Sequence, residues 1–190
     1  MKSVILLSLM LIVPKAHAGF DTWKDLRGCY NTMSYNGNPV VDPQNSRGMT
    51  NASPDFMFGT LADGSRVPTF SFYLFKYRQG NTSFSDFAWI FADLGRTSVS
   101  ADGKVRSWSF KGPMMCTTLC GTPTPFTMDT RVEVKDLGND LLEVRNFRHI
   151  AELPDHSYDA DDTYILKRDR QLCMVCERKP DGSMSCSNVP

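Results

Sequence analysis

The sequence predicts an all-β fold, an antiparallel meander closing into a single barrel of about eight strands. Three observations lead there. Turn dipeptides recur at short intervals: Asn36-Gly37, Asp63-Gly64, Asp102-Gly103, Gly138-Asn139 and Asp181-Gly182. The runs between them are rich in aromatic and β-branched residues, as strands require. No window sustains a helical apolar period through these turns, so one or two short helices are the most expected.

In chain order, residues 1–18 read as a secretory leader. Lys2 supplies the positive start, 4–13 the apolar stretch, and Ala16-His17-Ala18 the small-residue cleavage site. The apolar stretch falls short of the roughly 20 residues that span a bilayer, and no second one follows. The residue after the cut is Gly19, not a lipidation cysteine. Residues 19–190 are then one secreted or periplasmic domain. The whole chain balances 21 basic against 21 acidic residues, and losing Lys2 and Lys15 tips it slightly negative. No basic excess invites nucleic acid or anionic membrane.

After one helical turn over 23–27, strands are expected at 29–35, 70–77, 84–91, 104–110, 131–135, 141–149, 163–168 and 171–178. Segments 45–54 and 112–125 carry Pro, Gly, Ser or Thr and read as long loops. The run 70–77 is apolar on both faces, with Phe70, Phe72 and Leu74 on one and Tyr73, Phe75 and Tyr77 on the other. In 84–91, Phe87, Trp89 and Phe91 align. A covering element or an exposed aromatic patch accounts for the second apolar face. Around Gly138, a three-residue loop over 137–139 sets Val134 opposite Leu142 and Val132 opposite Val144.

All six cysteines lie beyond the leader, and an even count in an exported chain reads as disulfides. Lys179-Pro180-Asp181-Gly182 fits a type I turn with a glycine bulge, which pairs Lys179 with Ser183 and Cys176 with Cys186. Cys116 with Cys120 would close the 112–125 loop. Cys29 and Cys173 remain, joining first and final strands where a barrel closes. Cys173-x-x-Cys176 has redox spacing, but it lies in a strand with no βαβ unit around it. Zinc on these cysteines conflicts with export.

Catalytic signatures are missing. There is no G-x-S-x-G, H-E-x-x-H or phosphate-binding glycine loop. His156 beside Asp155 lacks a nucleophile, His149 falls on the solvent side of its strand, and the acidic run at Asp159, Asp161 and Asp162 lacks an EF-hand pattern. The other side of 141–149 is more informative. The phase of Leu142 and Val144 carries Asn146 and Arg148 inward, and a buried arginine needs either a structural acceptor or a ligand anion.

Leu26-Arg27-Gly28-Cys29-Tyr30 resembles the opening of lipocalin-like (calycin-type) secreted barrels, where a glycine precedes an aromatic by two positions. Arg168 or Arg170 fits the basic residue that packs over that end. Tyr30 replaces the usual tryptophan, and the family's central Thr-Asp-Tyr motif is absent, with Asp162-Thr163-Tyr164 a scrambled form. The resemblance covers two short stretches and implies an up-and-down barrel with an internal ligand cavity.

The expected function is binding of a small apolar or amphipathic molecule, without cofactor or metal. Phe72, Trp89, Phe91, Trp108 and Phe110 are the expected lining, with Arg148 as polar anchor. The alternative is an extracellular protein-interaction or inhibitor module that presents the disulfide-held 112–125 loop. An enzyme would need Asp155, His156 and Tyr158 to converge in a cleft.

Overall fold

A computed structural model describes residues 23–40, 49–91, 93–116, 122–152, 158–170, 173–179 and 183–189. The leader and the pair Asp155-His156 lie outside these. A 3-10 turn, Lys24–Leu26, occupies the expected helical position. Twelve strands follow: β1 Gly28–Tyr35, β2 Asn38–Pro39, β3 Met49–Thr60, β4 Arg66–Gln79, β5 Thr82–Phe91, β6 Arg96–Val99, β7 Val105–Cys116, β8 Thr124–Gly138, β9 Leu141–Ala151, β10 Ala160–Asp169, β11 Cys173–Arg178 and β12 Met184–Val189. The first ten make one antiparallel sheet in the order β5-β4-β3-β1-β10-β9-β8-β7-β6, with β2 beside β1. Eight of them are long; β2 and β6 are short.

The meander agrees with the sequence, but the ladder stops short of a closed barrel. The sheet ends at β5 and β6, which are consecutive in the chain, and no backbone ladder joins β5 to β7 among the described residues. An isolated bridge, Leu61 to Met114, crosses from the end of β3 to β7. Gly95, between β5 and β6, is left-handed (φ +74°), and a Cβ there would stand 2.1 Å from the Ser109 carbonyl oxygen of β7. Gly95→Ala should therefore cost at least about 1–2 kcal/mol in chemical denaturation from backbone strain alone. Unchanged stability would show that this turn repacks freely.

Alternation holds along β9, where Leu142, Val144, Asn146, Arg148 and Ile150 are buried while Arg145 and His149 face solvent. In β4, Phe70, Phe72 and Leu74 fill the core as expected. On the other face Tyr73 and Tyr77 are exposed, whereas Phe75 is buried next to a bulge. The expected phase of β5 is corrected. Ala88 and Ile90 face the core; Phe87 and Trp89 lie half-buried on the opposite face. Asp86 shares the core face, which disguised it as the polar side.

The register at Gly138 is also corrected. Val134 opposes Val144 and Val132 opposes Asn146, because Asn139 and Asp140 both adopt left-handed φ in a two-residue turn and Gly138 sits in a bulge beside it. The predicted loops shrink. Met49–Pro54 belongs to β3, paired with β1 and β4. Gly112–Cys116 and Thr124–Pro125 continue the β7–β8 hairpin, so the 112–125 loop reduces to 117–123, of which 117–121 lie outside the described residues.

β11 and β12 form a separate hairpin in the register expected, with Cys176 opposite Cys186, bonded at a Cα separation of 4.0 Å. Lys179 N–H donates to Ser183 O at 2.8 Å. Cys29 bonds Cys173, as expected, but not between neighbouring strands of a barrel. β1 pairs with β3 and β10, and the disulfide fastens the small hairpin to the main sheet. Cys116 is disulfide-bonded too; Cys120 lies outside the described residues.

Candidate functional site

Period-two alternation drives Arg148 and Asn146 off the inner face of β9 toward β5, the last strand on the far side of the sheet. Arg148 donates from Nε to Tyr158 O at 2.6 Å, from Nη1 to Phe87 O at 2.8 Å and from Nη2 to Asp86 Oδ1 at 2.9 Å. Asn146 Nδ2 reaches Phe87 O at 3.3 Å and Asp86 Oδ2 at 3.4 Å. Phe87 N–H donates to Asp86 Oδ1 at 2.7 Å. Side chains thus satisfy both backbone groups of Phe87 at the edge of the sheet. β5 and β9 meet at a seam stitched by side chains.

The stitching extends to β4 and β10. Lys76 of β4 reaches Asp162 of β10 at 2.7 Å and Asp86 at 3.8 Å. Asp162 Oδ1 also accepts from Tyr35 Oη and Asn36 Nδ2, both at 2.9 Å. Two cations balance two anions. Burial pushes the Asp162 carboxyl up, but hydrogen bonds from Lys76, Asn36 and Tyr35 outweigh it and hold it below the usual 3.8. Burial would lower Lys76, yet its contact with Asp162 lifts it above 10.5. Burial, with Asp162 and Asp86 nearby, drives the Tyr164 hydroxyl upward.

A carboxylate depressed in the fold stabilises it above the unfolded pKa, and that contribution is lost as pH falls through the folded value. Stability should therefore be full at neutral pH and decline below about pH 4. Asp162→Asn should flatten this acid limb in urea denaturation across a pH series. Equal limbs in the two proteins would show that the contacts of Asp162 with Lys76, Tyr35 and Asn36 do not stabilise the fold. Lys76 has the opposite sign: its contribution is complete below 10.5 and fades as pH rises through its raised folded value.

The expected lining residues fall into three groups. Phe72 is fully buried against Phe70 and Tyr30. Phe91, Trp108 and Phe110 pack together with centroids 5.5–6.3 Å apart, and Trp108 Nε1 donates to Leu94 O at 2.7 Å. Trp89 packs at the margin of the same core, stacked on Phe87 at 5.8 Å with the Arg148 guanidinium 5.0 Å from its ring. Trp89 Nε1 and Asn146 Oδ1 are buried with no hydrogen-bond partner among the described residues.

No family model, curated protein sequence or solved structure matches this chain. Its own geometry carries the functional argument.

Sequence reasoning missed an open cleft of about 440 Å³ at the other end, between the 3-10 turn and the 138–140 turn. Arg168 lies over the Tyr30 ring at 5.3 Å and donates to Tyr30 Oη at 2.9 Å and Asp25 O at 2.6 Å. Asp25 forms a two-pronged pair with Arg106, whose hydrogen bond draws the carboxyl below its usual value. Asp140 pairs with Arg170 at 2.6 Å. These ionic groups satisfy one another around the cleft. Elsewhere the acidic run divides: Asp162 turns inward, while Asp159 accepts from His149 Nδ1 and Ile150 N–H.

Proposed function

We propose that this chain is an exported binding protein on a calycin-type barrel, holding a small apolar or amphipathic molecule at the β5–β9 seam. Eight long antiparallel strands, a 3-10 turn ahead of the first and Arg168 packed over Tyr30 support the barrel and the family resemblance. In this view the side-chain bonds from Arg148 and Asn146 tie the end strand β5 to β9, a strand already paired on both sides, while the gap between β5 and β7 has no backbone ladder among the described residues. Two fully described disulfides support an oxidising compartment, secreted or periplasmic. Among the described residues no helix is long and apolar enough to cross a membrane.

The observation that carries the binding site is Trp89 Nε1, a buried donor without a partner among the described residues, on a half-buried ring stacked on Phe87 and next to the Arg148 guanidinium. A ligand with an apolar body and a polar tip would meet both needs. Phe72, Phe91 and Trp108 are better read as structural core, and Arg148 as fastening the seam. Titration with fluorescent alkyl-chain probes should give saturable binding near micromolar Kd, weakened about tenfold by Trp89→Ala, a difference of about 1.4 kcal/mol. Absence of saturable binding by the folded wild type would overturn the proposal.

A protein-interaction module is the second reading. What favours it is not the 112–125 segment but the outer face of β4 and β5, where Tyr73 and Tyr77 are exposed and pair with Phe87 and Phe84 at 5.2 and 4.6 Å.

A further inference from the structure

We infer that the Cys176–Cys186 disulfide is a thiol-exchange site, opened by a dithiol while the rest of the fold stands, and that it latches strand β12 to the molecule. Strand alternation supplies the first ground. Cys173 and Cys176 lie three residues apart in β11, so their side chains leave opposite faces. Cys173 is 2% exposed and bonded to Cys29 of β1, itself 8% exposed. Cys176 therefore points away from the main sheet, on the side of Met174, which is 61% exposed. Its partner Cys186 is exposed as well. Exchange requires a thiolate to reach a disulfide sulfur, so the outer bond is open to attack and the inner one is shielded.

The second ground is how little else holds β12. Among the described residues it pairs with β11 alone, and β11 is the strand that packs on β3 and β1. Cys186, Ser187 and Asn188 are exposed in succession, so neither face of β12 is covered there. A two-stranded ladder without a covered face is marginal in water. The cross-link supplies what packing does not. In the exchange, one thiolate of the dithiol attacks Cys186 Sγ and expels the Cys176 thiolate, leaving a mixed disulfide. The second thiol then displaces Cys186, and the dithiol departs as its own disulfide. Two electrons and two protons pass to Cys176 and Cys186. β11 stays fastened through Cys29–Cys173, and β12 is released.

The test treats the full oxidised chain with graded dithiothreitol in the absence of denaturant. Free thiols are capped with iodoacetamide and the labelled peptides mapped by mass spectrometry, with hydrogen exchange over 184–189 followed in parallel. Cys176 and Cys186 should be labelled at least about tenfold faster than Cys29 and Cys173. Exchange over 184–189 should then accelerate at least about tenfold while 141–151 stays protected. The variant Cys176→Ser/Cys186→Ser should show that faster exchange with no dithiol added; where it does not fold, the wild-type measurements decide alone. Equal labelling of the two disulfides, or no labelling of Cys176 and Cys186 before the whole fold opens, overturns the exchange site. Unchanged protection over 184–189 once Cys176 and Cys186 are labelled overturns the latch.

Discussion

Replacing Arg148 with methionine should destabilise the protein by about 3 kcal/mol, because it leaves a mostly buried Asp86 with only the longer contact to Lys76 at 3.8 Å, which already pairs with Asp162. The loss has a second source. Tyr158 O loses its side-chain donor, which costs about 1–3 kcal/mol where the acceptor is buried, while Phe87 O keeps only the longer bond from Asn146 Nδ2 at 3.3 Å. Urea denaturation of Arg148→Met measures the sum. The double variant Arg148→Met/Asp86→Leu should recover much of it, since a pair replaced by apolar groups removes the stranded charge. A single-variant loss under about 1 kcal/mol would mean that solvent reaches the seam freely.

Removing the disulfide between Cys29 and Cys173, as the double alanine variant, should cost about 5 kcal/mol by loop-closure entropy, because it spans 144 residues. The bond between Cys176 and Cys186 spans only 10, and its removal should cost less than about 3 kcal/mol. Denaturation without reductant compares the two. Equal losses would show that the long loop is already restrained in the unfolded chain, against the entropic account.

What the sequence revealed and what it hid have different physical origins. The inward phase of Asn146 and Arg148 was legible because Leu142 and Val144 announce the face and period two carries it onward. The Cys176–Cys186 register was legible because turn chemistry at 179–182 fixes it locally. The face of β5 was not, because Asp86 is neutralised by residues far away in sequence, and nothing nearby signals that a charge points inward. The turn at Asn139-Asp140 hid its register in two consecutive left-handed residues, which alternation alone does not detect. Pro113 and Pro125 looked like strand breakers. They are tolerated because β6 pairs with Arg106–Ser109 of β7 and β9 joins β8 from Thr127 onward, so among the described residues neither proline has a second continuous ladder, Pro113 having only the isolated Leu61–Met114 bridge beside it. The site followed the same division. Arg148 could be marked as needing a partner, but Asp86, Phe87 O and the unsatisfied Trp89 and Asn146 atoms are products of the fold.

A terminal strand in an open sheet is a template on which another chain can add, and proteins that persist at high concentration must blunt it. Here the blunting falls to Asp86, Asn146 and Arg148, whose side chains occupy the main-chain groups of Phe87 that an incoming strand would use. Fibre growth is thus held back by the same few bonds that fasten the seam. A change that loosens them would offer an aromatic-rich edge to the next molecule, and turbidity or thioflavin binding would rise before global unfolding is complete.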